Sequence, residues 1–157
     1  MSTVHFRRAT SADALAVQAL SRLAYQKWVP LIGREPLPMT ADYERAVVEH
    51  LIDLWEENGQ LLGLAEMVPG QEHLLLENLA VRPDQQGKGR GSRLLLQVET
   101  VAVSLGLTEI RLYTNAVFAA NAAFYAKRGY SEYQRTKFAR GGIAVHMHKF
   151  LGEGKPA

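Results

Sequence analysis

The sequence predicts a single α/β (α+β) domain, and three features predict it: an Asn58-Gly59 pair between strand-like runs, an almost unbroken apolar run at residues 74–81, and a helix-period apolar stripe at 94–105. Both central residues of a tight type I′ turn need positive φ, which Asn-Gly tolerates, so residues 51–57 and 61–68 are expected as antiparallel neighbours. The run at 74–81 reads as a central strand covered on both faces, interrupted by Glu77 and Asn78. Leu94, Leu95, Val98, Val101, Ala102 and Leu105 define the main helix, over about residues 90–105, with Gly106 placed to end it.

The remaining elements follow in chain order. Residues 3–9 read as a short strand. Thr10 and Asp13 form a capping-box start for a helix over about 12–27, carried by Leu15, Ala16, Ala19, Leu20, Leu23 and Ala24. Pro30, Gly33, Pro36 and Pro38 predict a loop, a candidate substrate lid, before a short helix at 43–49. A strand at 110–114 precedes a helix at 120–128, which Gly129 stops and whose C-terminal dipole Lys127 and Arg128 complement. Two more strands flank Gly141-Gly142. The domain is expected to span residues 1–151, with 152–157 a frayed tail.

At 157 residues and 47% hydrophobic, the chain has the length and the apolar supply for one self-sufficient core. It contains no cysteine, which excludes disulfide scaffolds, thiolate zinc sites and cysteine nucleophiles and makes a cytoplasmic location the default expectation. Charges are spread through the first thirty residues, so neither a signal peptide nor a membrane span is expected. The five histidines show no metal-ligand spacing; His146 and His148 lie two apart on a predicted strand without a third ligand, so no metal is expected.

The net charge of +2 argues against a general nucleic-acid binder, and neither nucleic acid nor membrane is expected as a partner. The distribution says more. Residues 1–80 hold 6 basic and 11 acidic side chains, and residues 81–157 hold 12 and 5. Such asymmetry suits a site with an anionic ligand on one side and a cationic one on the other, unless the two halves simply interleave in space.

The segment that carries most chemistry is Val81-Arg82-Pro83-Asp84-Gln85-Gln86-Gly87-Lys88-Gly89-Arg90-Gly91-Ser92, between the apolar strand and the main helix. Alternating glycines let backbone approach a ligand closely, and N–H groups at a helix N-terminus favour phosphate oxygens. A dinucleotide fingerprint fails, because positions 92 and 94 are Ser and Leu, and a Walker loop fails for want of an upstream glycine near Pro83. A ligand-free turn is the plain alternative, which Lys88, Arg90 and Arg93 beside the glycines speak against.

Gln86, Gly89 and Gly91 in the order Gln-x-x-Gly-x-Gly, the preceding Leu-Ala-Val-Arg-Pro ending at Pro83, and the later Asn121-Ala-Ala-Phe-Tyr125 with Gly129-Tyr130 together resemble the GNAT superfamily of acyl-CoA-dependent N-acetyltransferases. Element order agrees over about residues 3–150. The resemblance implies a mixed, mostly antiparallel sheet splayed between its fourth and fifth strands, flanked by about four helices, with acetyl-CoA in the opening. It implies that the strand backbone at Leu79, Ala80 and Val81 meets the pantetheine arm, and that Asn121 and Tyr125 reach the arm from the second segment. The loop from Gln86 through Gly87, Lys88, Gly89, Arg90 and Gly91 to Ser92 would hold the pyrophosphate. The side chains of Lys88 and Arg90 either meet the 3′-phosphate or are solvated charges beside the turn.

The implied mechanism is direct attack by a primary amine of a small molecule or peptide in a ternary complex, and the absence of cysteine agrees with it. An alkylamine with a pKa of ~10 must lose a proton, and Glu77 is the candidate acceptor. Strand parity with Leu75, Leu79 and Val81 directs it to the cleft. Its alternatives are binding a cationic acceptor or forming a structural ion pair, with Glu66 in reserve as base. Tyr125 holds the family's general-acid position, its alternative being a core aromatic bonded to backbone. A strand N–H near Leu79, left unpaired at the splay, would take the oxyanion. Tyr25, Trp28, Arg34 and Asn115 are the candidate acceptor residues, in a region that also supplies Glu35, Tyr43, Tyr133 and Arg140. Aromatics with both charge signs suit a small amine or amino-acid-like molecule. Trp28 and Tyr25 read equally as core, and Asn115 equally as the cap of a turn. The competing class is a non-catalytic acyl-CoA-binding sensor or regulatory module. Dimers are common in the family, so a homodimer stays open.

Overall fold

The computed structural model describes residues 4–152, so Thr3 at the head of the first predicted strand and residues 153–157 of the predicted tail lie outside it. Seven strands form one sheet: β1 Val4–Arg8, β2 Leu51–Glu57, β3 Gln60–Pro69, β4 His73–Val81, β5 Glu109–Asn115, β6 Ser131–Lys137 and β7 Ile143–Phe150. Their spatial order is β1-β2-β3-β4-β5-β7-β6, and every neighbouring pair is antiparallel except β4 with β5. The β2–β3 turn has the expected geometry, with Asn58 at φ 54° and Gly59 at φ 80°.

Among the described residues the helices are α1 Ala14–Tyr25, α2 Val29–Ile32, α3 Leu37–Thr40, α4 Tyr43–Glu49, α5 Arg90–Ser104 and α6 Ala119–Ala126. The four longer ones are those expected. The single turns α2 and α3 lie where the prolines predict loop. Pro30 and Pro38 fall within the first two positions of these turns, where the missing N–H leaves no bond unmade and the fixed φ suits a helix. A proline that ends one element can therefore begin the next.

Two apolar layers sandwich the sheet. On one face Leu94, Leu95, Val98 and Ala102 of α5 pack on Ala65, Met67, Leu74, Leu76, Ile110 and Leu112. On the other, Val17 and Leu20 of α1 and Ala46 and Val47 of α4 cover Ile52, Leu54, Leu64 and Ala80. Each fully buried leucine here contributes roughly 1.5–3 kcal/mol.

Two irregularities in β4 shape the site. Its parallel pairing with β5 runs from His73↔Glu109 to Leu76↔Leu112 and stops, which is the expected splay. Its antiparallel pairing with β3 slips at the same place: Leu76 opposes Met67 and Asn78 opposes Glu66, so Glu77 is the extra residue of a β-bulge. Parity along β4 therefore reverses. Leu74 and Leu76 face the α5 layer, but Ala80 faces the α1 layer, while Leu79 and Val81 turn toward α5. The expectation that Glu77 shares a face with Leu79 and Val81 is corrected by this bulge. Asn78 is turned to the α1/α4 side, donating to Ser21 Oγ at 3.1 Å and Tyr43 Oη at 3.2 Å.

The entry to α1 carries a pH-dependent contribution to stability. The Asp13 carboxylate accepts from the Thr10 N–H at 2.7 Å and from the Arg7 guanidinium at 2.8 and 3.0 Å. Arg7 holds its pKa down to about 2. A depressed carboxylate stabilises the fold above its unfolded value of 3.8 and loses that contribution as pH falls through about 2. Asp13→Asn is expected to cost about 1 kcal/mol at pH 7, roughly 2–4 °C in Tm. The difference from wild type should shrink as pH falls from about 4 and vanish only below about 2, as thermal unfolding followed by circular dichroism across pH would show; a pH-independent gap would refute the assignment.

Candidate active site

The chain leaves β4 at Val81, makes one 3-10 turn at Pro83–Gln85, and passes through Gly87 and Gly89, both at φ 79°, into α5. A Cβ at Gly87 or Gly89 would meet nothing within 4 Å, so these two are required by backbone conformation and their outer side is open. Gly91 serves packing instead: its Cβ would stand 3.2 Å from Phe124 Cζ, so its absence lets α5 approach α6. Gly89 is the N-cap of α5 and supplies no side-chain cap, which leaves the first N–H groups of the helix for a ligand.

Side chains around the loop divide into tethers and a free cation. Gln86 donates to the Val81 carbonyl at 3.0 Å and accepts from Lys27 Nζ at 2.8 Å, tying the loop to β4 and to the segment after α1. Arg90 is turned away from the loop onto Glu57 at 3.1 Å and over the Trp55 ring. The guanidinium is thus engaged inside the fold and does not reach out toward a 3′-phosphate, which leaves its backbone N–H as the group it can offer an anion. The Ser92 hydroxyl accepts from Arg128 at 2.7 Å. Lys88 has no side-chain partner among the described residues.

The splay opens into a cavity of about 170 Å³ that brings together seven of the expected site residues: Leu79, Asn121 and Tyr125, expected along the thioester arm, and Glu77, Tyr25, Arg34 and Asn115, expected around the acceptor. The Tyr25 hydroxyl donates to the Leu79 carbonyl at 3.3 Å. Asn121 Nδ2 lies 3.5 Å from Thr114 Oγ1. Tyr125 packs edge-on to Phe124 and Tyr130, and its hydroxyl has no hydrogen-bond partner among the described residues. Burial pushes its pKa well above the usual phenol value, so it stays protonated across the physiological range.

Glu77 accepts a hydrogen bond from the Tyr113 hydroxyl at 2.7 Å. Burial and the charge of Glu77 push Tyr113 up, which keeps it a donor. Glu77, Asn78 and Tyr113 also border a second cavity of about 240 Å³, walled by Asp42, Arg45, Glu49, His50 and Glu66. There the reserve base Glu66 is buried against His50 Nδ1 at 2.6 Å; burial raises its pKa and His50 opposes the rise.

Two acceptor-side residues stand differently from expectation. Trp28 is not part of the cavity wall; it packs on Phe118 with ring centroids 4.3 Å apart, and Phe118 forms the wall. Asn115 does both things open to it: its Oδ1 accepts from the Val117 N–H at 3.1 Å, capping the turn, and it lines the cavity. Tyr113 went unrecognised in the sequence. Leu76↔Leu112 is the last parallel pair, so residues 77 and 113 are the first beyond the ladder, a proximity that only the register reveals.

Residues 17–130 match the model of the Acetyltransferase (GNAT) family. The chain belongs to that family. Among solved structures, the GNAT protein is similar to the PaiA N-acetyltransferase of Thermoplasma acidophilum in complex with coenzyme A: 20% identity, TM-score 0.81, covering 95% of this chain and 99% of that one. It is similar to YncA of Salmonella typhimurium with acetyl-CoA, at 19% identity and TM-score 0.72, covering 99% and 98% of the two chains. It also resembles the ribosomal-protein-S18-alanine N-acetyltransferase of Escherichia coli, at 20% identity and TM-score 0.73, with all of both chains covered. No curated protein matches the chain. GNAT enzymes use acetyl-CoA, and the uncapped N-terminus of α5, the open side of Gly87 and Gly89 and the unpaired Lys88 fit its phosphates. Among the described residues no three His, Asp or Glu side chains gather as metal ligands, and no helix is long and apolar enough to cross a membrane.

Proposed function

We propose that this GNAT protein transfers the acetyl group of acetyl-CoA to a primary amine of a small molecule or peptide, by direct attack in a ternary complex. The observation that carries the reading is a single cavity at the splay containing both the unpartnered Tyr125 hydroxyl and the Glu77 carboxylate. Acetyl-CoA supplies the acetyl group as a thioester. The backbone from Gln86 to Gly91 holds its pyrophosphate, and Leu79, Val81 and Asn121 align its arm. Glu77, oriented by Tyr113, takes the proton that the acceptor nitrogen must lose to become a nucleophile. The N–C bond forms at the thioester carbon while the Leu79 N–H faces the developing oxyanion; the adduct then collapses, the C–S bond breaks as Tyr125 gives its proton to sulfur, and the second proton of the attacking nitrogen returns to Tyr125 through solvent, leaving amide and free thiol.

The test is acceptor-dependent thiol release from acetyl-CoA against amines, amino acids and short peptides, with cofactor binding measured in parallel. Tight binding without release on any acceptor would favour the sensor reading instead. The base role makes a separate expectation. Glu77→Gln should lower kcat at least tenfold at pH 7, and the deficit should narrow as pH approaches ~10, where alkylamines deprotonate unaided. A deficit that stays constant with pH would assign Glu77 to acceptor binding.

A further inference from the structure

Five charged side chains around the two cavities are paired within the fold, and three that are not share one cavity. Glu35 is paired with Arg22 at 2.6 Å, Glu49 with Arg45 at 3.2 Å, and Glu66 with His50 at 2.6 Å. Asp42 caps α4 by accepting from the Arg45 N–H at 3.2 Å. Asp42 is thus held by a helix N-terminus, and three further charges have no opposite one among the described residues. Glu77 has only the neutral Tyr113 hydroxyl; Arg34 has only the Gly141 carbonyl, at 2.5 Å; Arg140 has no partner. All three line the cavity at the splay. Arg34 comes from the segment between α2 and α3 and Arg140 from the β6–β7 turn, and the bond from Arg34 to the residue next to Arg140 draws the two together.

We infer that the acceptor is an amino acid: a primary amine whose carboxylate is bound by Arg34 and Arg140 while its nitrogen is held at Glu77. The inference rests on the acetyl-transfer reading and narrows its substrate class. A guanidinium pairs with a carboxylate through two parallel hydrogen bonds, and tethering Arg34 to Gly141 before binding reduces the ordering cost. A diamine fits worse at either end. Its second ammonium would meet two guanidiniums at the splay cavity, or in the second cavity would compete with His50 and Arg45 for paired acids and find only Asp42, which already accepts from the Arg45 N–H.

The test compares kcat/KM, from thiol release with acetyl-CoA, for glycine, β-alanine, 4-aminobutanoate and a set of α-amino acids, each against its own carboxamide, with putrescine as the diamine. Wild type should favour acids over carboxamides at least tenfold, and R34Q and R140Q should each reduce that ratio about tenfold. Arg140 is exposed, so R140Q keeps the test open if R34Q folds poorly. Equal use of acids and carboxamides, or a preference for putrescine, overturns the inference and leaves acetyl transfer standing. An unchanged ratio with a raised Kd for acetyl-CoA also overturns it, by assigning the arginines to the cofactor. No release with any amine overturns the acetyl-transfer reading and this inference with it.

Discussion

Gly89→Asp is expected to raise the Kd for acetyl-CoA at least a hundredfold, about 2.7 kcal/mol, while leaving the fold intact. The space beyond Gly89 is empty within 4 Å, so the new side chain displaces nothing. The residue is the N-cap of α5 at φ 79°, and aspartate is both a favoured N-cap and one of the few residues that tolerate positive φ. The fold therefore absorbs the change, and what suffers is the phosphate, which meets a carboxylate where it had free N–H groups. Gly89→Asn, of the same shape without the charge, should lose much less. Calorimetric titration of both variants separates the causes: equal losses would implicate backbone strain, and retained affinity in the aspartate variant would remove the loop from the cofactor site.

Tyr125→Phe should lower kcat at least tenfold with little change in the KM for acetyl-CoA. The deleted hydroxyl makes no hydrogen bond within the described protein, and the ring keeps its edge-on contacts with Phe124 and Tyr130. Removing an unpartnered hydroxyl leaves no orphaned group behind, so thermal stability should hold or rise slightly. Tyr25→Phe offers the contrast, since its hydroxyl is engaged with the Leu79 carbonyl at 3.3 Å. Unchanged turnover in Tyr125→Phe would reject the proton-donor role and shift attention to water as the acid.

Much of this architecture is readable from short-range patterns, because those patterns report local backbone demands. Asn58-Gly59 specifies its turn, the stripe from Leu94 to Leu105 specifies α5, and the glycines before it specify the left-handed turns that leave the α5 N-terminus uncapped. Hidden from such patterns are features decided by register between distant segments. Nothing near Glu77 announces that β3 skips it, and nothing near Tyr113 announces its partner 36 residues away. Arg90 misleads for the same reason: beside three glycines it reads as a phosphate ligand, but Glu57, 33 residues earlier, claims it. Trp28 carries the chemistry of a binding residue and is spent on Phe118.

The bulge at Glu77 also determines which kinds of sequence change β4 can accept. Substitutions leave the count of residues alone and act locally. Deleting Glu77 would remove the bulge, and because Leu76 opposes Met67 and Asn78 opposes the adjacent Glu66, every later residue would keep its β3 partner and its face. Asn78 would stay against Ser21 and Tyr43 and Leu79 in the α5 layer, and what the strand would lose is the carboxylate at the splay. The extra residue thus serves the site and not the sheet, and a natural variant one residue shorter here should keep both apolar layers and lose the carboxylate.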